Sequence, residues 1–177
     1  MDKTLYVRHL RGRATILNET REGFATLKPT KFAKKRMAEA LFFRGCNFVA
    51  AAVLLRQKGG YDYVVLHLLC QGVEIILKSL LLLQDYDQYR KVIKDKMGHD
   101  LEKLIKEVSS EYGSTSFRGN IVTEIKELNG LYKAHLLRYG GNIDILIDPK
   151  TIKSNLTLKK ITQVVRVVRR GIARDAE

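Results

Sequence analysis

Apolar residues run almost unbroken from Tyr63 to Gln84, and the exceptions fall in a row. His67, Gln71, Glu74 and Lys78 are spaced i, i+4, i+7, i+11, so a helix places them on one face. The pattern predicts a buried central helix, apolar almost all round, that carries one polar stripe. Buried polar groups are costly unless each finds a partner. The rest of the chain must therefore supply partners for the stripe, or the stripe must line a site.

The same periodicity predicts a first helix over Phe32–Gln57, opened at Pro29 or Thr30, basic at its start (Lys31, Lys34, Lys35, Arg36) and small and apolar later (Val49 to Val53). That second half should pack closely on the central helix, and Gly59-Gly60 should turn the chain back. Residues 85–96 read as a polar connection with at most one helical turn. A third helix begins at Gly98-His99-Asp100-Leu101, with Leu101, Leu104, Ile105 and Val108 on one face, and fades over Ser109–Ser116. A fourth runs over about Phe117–Tyr139, with Ile121, Ile125, Leu128, Leu131 and Tyr132 apolar and His135 and Arg138 continuing the inward face.

The two ends read differently. Asn142–Asp148 alternates, with Ile143, Ile145 and Ile147 on one side, and predicts a short strand pairing with the N-terminal segment. Residues 1–30 read either as a basic extended arm or as a hairpin of strands 5–10 and 14–17 around Arg11-Gly12-Arg13. Leu156–Arg174 is amphipathic, its apolar stripe formed by Leu158, Ile161, Val165, Val168 and Ile172. The fold expected is an all-α, up-and-down bundle of four to five helices over residues 31–177, ending in a basic helix (155–174), with a minor β element.

Charge sharpens this division. Residues 1–44 carry 11 Lys+Arg against 4 Asp+Glu, residues 150–177 carry 8 against 2, and the middle carries 13 of each. The whole excess of +13 therefore sits at the two ends, which suggests a polyanion-binding surface, RNA or DNA, at Lys159, Lys160, Arg166, Arg169 and Arg170. Few aromatics accompany these residues, so the contact expected is to phosphates, with strong salt dependence. A solvated face or an acidic protein partner would read the same way. Cys46 and Cys70 sit among apolar residues and read as buried, reduced thiols. The charges in the first residues and along the central helix argue against a signal peptide or membrane span, and the expectation is a cytoplasmic protein.

The segment Val65–Leu82 resembles the central helix of HEPN domains, small helical bundles found with nucleotidyltransferases and in toxin–antitoxin and defence systems. Glu74 and Lys78 fit an E-x-x-L-K style core, and Gly98-His99-Asp100-Leu101 fits a G-H-D-L of several branches. Leu131-Tyr132 followed by Arg138-Tyr139 resembles the L-x-x-x-Y…R-Y that closes their last helix. The likeness covers about Phe32–Tyr139. It implies a helical bundle, a homodimer and either a metal-independent RNase or a binding, antitoxin or assembly partner, including a partner to a nucleotidyltransferase-like protein. The RNase members carry an Arg followed four to six residues later by a His. Here ten residues separate Arg56 from His67 and eight separate Arg90 from His99, and His135-Leu-Leu-Arg138 has the order reversed. The departure weighs against carrying catalysis across.

Two readings of His67, Gln71, Glu74 and Lys78, with His99, His135 and Arg138, stay open. As a structural network, Glu74 and Lys78 form a well-oriented helical ion pair, His99 and Asp100 cap a helix or reach back to Glu74, and Arg138 forks onto the Glu74 carboxylate. As a site, His99, His135 and Arg138 are the catalytic candidates for metal-free acid–base work, with Lys78 and Arg138 holding phosphate. No metal-ligand spacing, phosphate loop or nucleophile elbow suggests a metal or cofactor. The functions expected are a non-catalytic binding or regulatory protein, an RNase with a non-standard site, or an assembly module.

Overall fold

A computed structural model describes residues 29–112 and 120–151, and these form an all-α bundle with no strand among them. The hairpin or arm at residues 1–28 and the basic C-terminal helix, with Lys159, Lys160, Arg166, Arg169 and Arg170, lie outside the described residues. The first helix, α1, spans Lys31–Gln57 and the central helix, α2, spans Asp62–Gln84. Thr30 opens α1 because its hydroxyl accepts the Ala33 N–H. Gly59, at φ 70°, turns the chain between the two helices in a conformation that other residues rarely adopt.

The two long helices touch backbone to backbone. A Cβ on Gly45 would lie 2.9 Å from the Gly72 carbonyl oxygen, and one on Gly72 would lie 2.9 Å from that of Gly45. Ala38, Phe42, Gly45, Val49 and Ala52 are the α1 residues buried against α2. Ala50, Ala51 and Val53, which the sequence assigns to the same contact, lie exposed on the other side. Both helices have the length and hydropathy of a membrane span, but 67% of the most apolar window of α2 is buried inside the bundle, against 33% for α1.

The remaining elements wrap α2. Helix α3 (Tyr86–Val92), capped by the Asp85 carboxylate on Gln88 N–H, leads into a π-helical turn (Ile93–Met97) that stops at Gly98, φ 48°. The loop expected over 85–96 is thus helical, because Tyr89 is buried against the core and its hydroxyl donates toward Glu111 and Glu107 on the next helix. That helix, α4 (Leu101–Tyr112), runs past Ser109, and Leu101, Leu104, Ile105 and Val108 are buried as the pattern requires. Tyr112 donates its hydroxyl to the Leu80 carbonyl of α2, which holds the last turn in place.

The expected fourth helix is two helices. Helix α5 (Asn120–Lys133) ends at Ala134-His135, and α6 (Leu136–Tyr139) restarts beyond it. His135 sits in the left-handed region, φ 58° and ψ 13°, uncommon for a side chain other than glycine. Residues 142–148 hold no strand. The alternation of isoleucines gives way to one helical turn, α7 (Ile143–Leu146), with Ile145 and Leu146 exposed, and Tyr63 ties the segment down by donating its hydroxyl to the Ile147 carbonyl at 2.5 Å. Among the described residues no strand stands beside it to offer the ladder partners that a strand needs. A 3₁₀ turn at Pro149–Thr151 closes the described chain.

Candidate functional site

The polar stripe of α2 meets α4, α5 and α6 at one place, and Glu74 is its centre. Only 3% of Glu74 is exposed. Its Oε1 accepts from Lys78 Nζ at 2.6 Å, and its Oε2 lies 3.0 Å from His99 Nδ1 and 2.5 Å from the Tyr132 hydroxyl. That hydroxyl also stands 3.0 Å from Gln71 Oε1. A phenol has one proton to give, so the shorter bond to the carboxylate takes it.

Burial alone would raise the Glu74 pKa, but hydrogen bonds from Lys78, Tyr132 and His99 together with the Lys78 charge outweigh it and hold the carboxyl below its ordinary range. An ionised carboxylate only accepts hydrogen bonds. His99 must therefore carry a proton on Nδ1, which leaves Nε2 as the ring nitrogen not committed to Glu74. Burial and the adjacent Glu74 push the Tyr132 phenol upward, so it stays protonated.

Around this buried centre stand exposed bases. The side chain of His99 is 52% exposed, and its ring centre lies 5.5 Å from that of His135 and 6.0 Å from Tyr132, edge to face in both cases. His135 in turn lies 6.2 Å from Tyr139, and Arg138 places its guanidinium over the Tyr139 ring at 5.1 Å. The left-handed backbone at His135 makes this arrangement: the α5 axis ends there, and α6, anchored by buried Leu137, offers Arg138 and Tyr139 beside the imidazoles.

His67 completes the group from the other side of Tyr132, with ring centres 5.9 Å apart. Its Nδ1 is buried without a hydrogen-bond partner. Burial, then the nearby Arg138 and, more weakly, His135 lower its pKa against the opposing pull of Glu74, so the neutral ring is favoured. An orphaned buried nitrogen is unusual and marks strain or an unfilled role.

Two expectations about this cluster change. Arg138 does not fork onto Glu74, because Lys78, His99 and Tyr132 already occupy the carboxylate and the guanidinium stacks on Tyr139. Lys78 is no free phosphate ligand either: its side chain is 17% exposed and bound to Glu74. His67, Gln71, Glu74, His99 and His135 do come together.

A second buried carboxylate lies one residue from His99. Asp100 caps α4 by accepting Lys103 N–H at 3.2 Å, accepts Asn129 Nδ2 at 3.1 Å, and pairs with Lys133 Nζ at 2.9 Å. Asn129 returns the tie by accepting Leu101 N–H at 2.8 Å. Sequence reasoning missed Asn129 and read Tyr132 as a core position and as part of the family resemblance, without a hydrogen-bond partner. Both are i, i+3 neighbours on one face of α5, a spacing that could have flagged them.

A groove of about 680 Å³ opens at the far end of α2, between Lys31, Lys34 and Lys35 on α1 and Leu82, Leu83 and Tyr86. No group of three or more His, Cys, Asp or Glu among the described residues could hold a metal ion. His99 and His135 are both exposed, so this part of the cluster lies at the surface. Compared with known proteins, the chain matches no family model, no curated protein and no solved structure.

Proposed function

We propose that this chain binds nucleic acid, RNA or DNA, holding a backbone phosphate against His99, His135 and Arg138, and serves as a non-catalytic binding or regulatory protein of the HEPN type. One observation carries the reading. Two imidazoles stand 5.5 Å apart at the surface, with Arg138 over the Tyr139 ring that neighbours His135, while the carboxylate beneath them is paired with Lys78. A carboxylate without Lys78 would repel a phosphate; a neutralised one orients His99 without repelling the ligand. The basic excess in the sequence at both ends and the residues shared with HEPN domains, which fall around this cluster, support the same reading.

The test is a gel shift of the purified protein on a mixed RNA pool over a salt series, beside a His135→Ala/Arg138→Ala variant. Binding that weakens steeply with salt and drops at least tenfold in the folded variant is expected. Equal binding by both proteins would remove the cluster from the function.

A second reading, a metal-independent endoribonuclease, is favoured by the His99–Glu74 bond. With Nδ1 committed to the carboxylate, Nε2 of His99 could take the proton of a ribose 2′-hydroxyl. The 2′-oxygen would attack phosphorus, and the 5′-oxygen would leave with a proton from His135. Chelator-resistant cleavage of RNA, absent with DNA of the same sequence and lost on His135→Ala, distinguishes this activity from binding alone.

A further inference from the structure

Helix α1 is apolar on two opposite sides. Its inner stripe, Ala38, Phe42, Gly45, Val49 and Ala52, packs against α2. On the other side Ala40, Ala50 and Ala51 lie exposed with Phe32, Phe43 and Leu54, and Phe32 is 75% exposed and Leu54 60%. A helix that is apolar on both sides is at home where both sides are covered. The three large side chains stand eleven residues apart. That interval is three helical turns and about 16 Å, so they form one row nearly parallel to the axis over about 33 Å.

Charge narrows what can cover the row. From Lys31 to Tyr61 the chain carries seven Lys or Arg and a single acid, Glu39. Glu39 is buried, and Arg36 holds it at 2.6 Å. Lys31, Lys35, Arg44 and Lys58 are exposed. The outer surface of α1 is therefore apolar and cationic, with no exposed carboxylate on the helix.

We propose that this face of α1 lies on an anionic lipid membrane, parallel to the plane of the bilayer. The apolar row enters the boundary between headgroups and acyl chains, and the Lys and Arg side chains reach up to the anionic headgroups. A straight row meets a plane along its whole length. A second copy of the face would bring cation onto cation with no acid in reach. A nucleic acid backbone would meet the cations but leave Leu54 and the alanines without an apolar partner. The net charge of +13 adds a long-range attraction to a negative leaflet.

The same residues set the depth. Asn47 and Arg44 lie exposed on this side and keep the helix at the interface, out of the hydrocarbon centre. The contact of Gly45 with Gly72 keeps the inner side on α2, so α1 docks as part of the bundle. This holds whether or not the histidine cluster binds nucleic acid.

The test is flotation of the full-length protein with phosphatidylcholine vesicles, with and without phosphatidylserine. Binding only to the vesicles that contain phosphatidylserine is expected, weakening as salt rises. Phe43→Ser/Leu54→Ser removes two apolar anchors at constant charge and should weaken binding about tenfold, with circular dichroism checking the fold. Leu54→Ser alone leaves Phe43 packed on Phe42 and serves if the double variant does not fold. In a Cys46→Ser background, an environment-sensitive fluorophore on Ala50→Cys should shift to the blue on the same vesicles. Absence of flotation, or equal flotation with phosphatidylcholine alone, overturns the proposal. So does binding that the serine variants leave unchanged, since charge alone would then hold the protein. A blue shift that grows with protein concentration without lipid gives the face to a second copy. One produced by RNA and not by vesicles gives it to nucleic acid. Either result overturns the proposal.

Discussion

Glu74 and Asp100 are both carboxylates buried at helix contacts, both held below their ordinary pKa by hydrogen bonds that outweigh burial, and each has a lysine. Their other partners differ. Asp100 binds a helix-end N–H and the amide of Asn129, groups with nothing left to offer a ligand. Glu74 binds a phenol and the imidazole of His99, whose second nitrogen remains available. Burial and a shifted pKa are common to both, so neither separates a structural tie from a site. What separates them is the exposed imidazole on Glu74, a partner whose second ring nitrogen can accept or donate a proton.

Removing each carboxylate breaks the comparison most sharply. Glu74→Ala leaves Lys78 without its acceptor and Tyr132 with Gln71 Oε1 alone, and should lower stability by about 3 kcal/mol, the lower end for a broken buried pair, because Lys78 can reach water. The urea midpoint, read with the slope unchanged, measures it. Nucleic-acid binding should fall in the same variant even where it remains folded, since His99 loses its orientation.

Asn129→Ala probes the other tie. It leaves Leu101 N–H and one side of Asp100 unsatisfied in the interior, a loss of about 1–3 kcal/mol. Binding per folded molecule should not change. Reduced affinity in folded Asn129→Ala would mean that the two nodes act as one network.

Acid should weaken both nodes. Glu74 and Asp100 have depressed folded pKa values, so their contribution is complete above the ordinary 4.5 and 3.8 and is lost as pH falls through the lower folded values. His67 acts earlier. Its folded pKa is also depressed, so below the ordinary 6.5 the unfolded chain takes up the proton first and stability declines. Denaturant midpoints from pH 8 down to pH 3 should fall in two stages, and His67→Asn should remove the upper one.

The sequence carried the stripe and its meeting with His99 because helical spacing alone puts His67, Gln71, Glu74 and Lys78 in line, and Gly98-His99-Asp100 marks a helix start. It hid the break at His135. No glycine or proline stands there to announce a left-handed residue, and the apolar period runs on from Leu131 to Leu137 without showing that the axis has turned. The false strand at 142–148 has the opposite cause: alternation was present, but a strand exists only where another edge can pair with it. Asn129 went unassigned and the hydroxyl of Tyr132 was given no partner because each reads as an ordinary member of a helix, and their roles depend on which carboxylate the neighbouring helix brings. Local pattern reports faces, and long-range partners decide what a face does.

The smallest expected change in stability is the one that bears most on function. His135→Ala removes an exposed ring, so it should shift the urea midpoint by no more than about 0.5 kcal/mol equivalent. His135→Gly goes further, since glycine adopts the left-handed backbone more readily and should stabilise the α5–α6 junction while deleting the imidazole. A His135→Gly protein that is at least as stable as the parent but binds RNA tenfold less tightly would show a side chain kept at a strained position for its chemistry. If it is less stable, the ring packing of His135 on His99 and Tyr139 outweighs the backbone strain, and the cluster belongs with Asp100 as a structural tie.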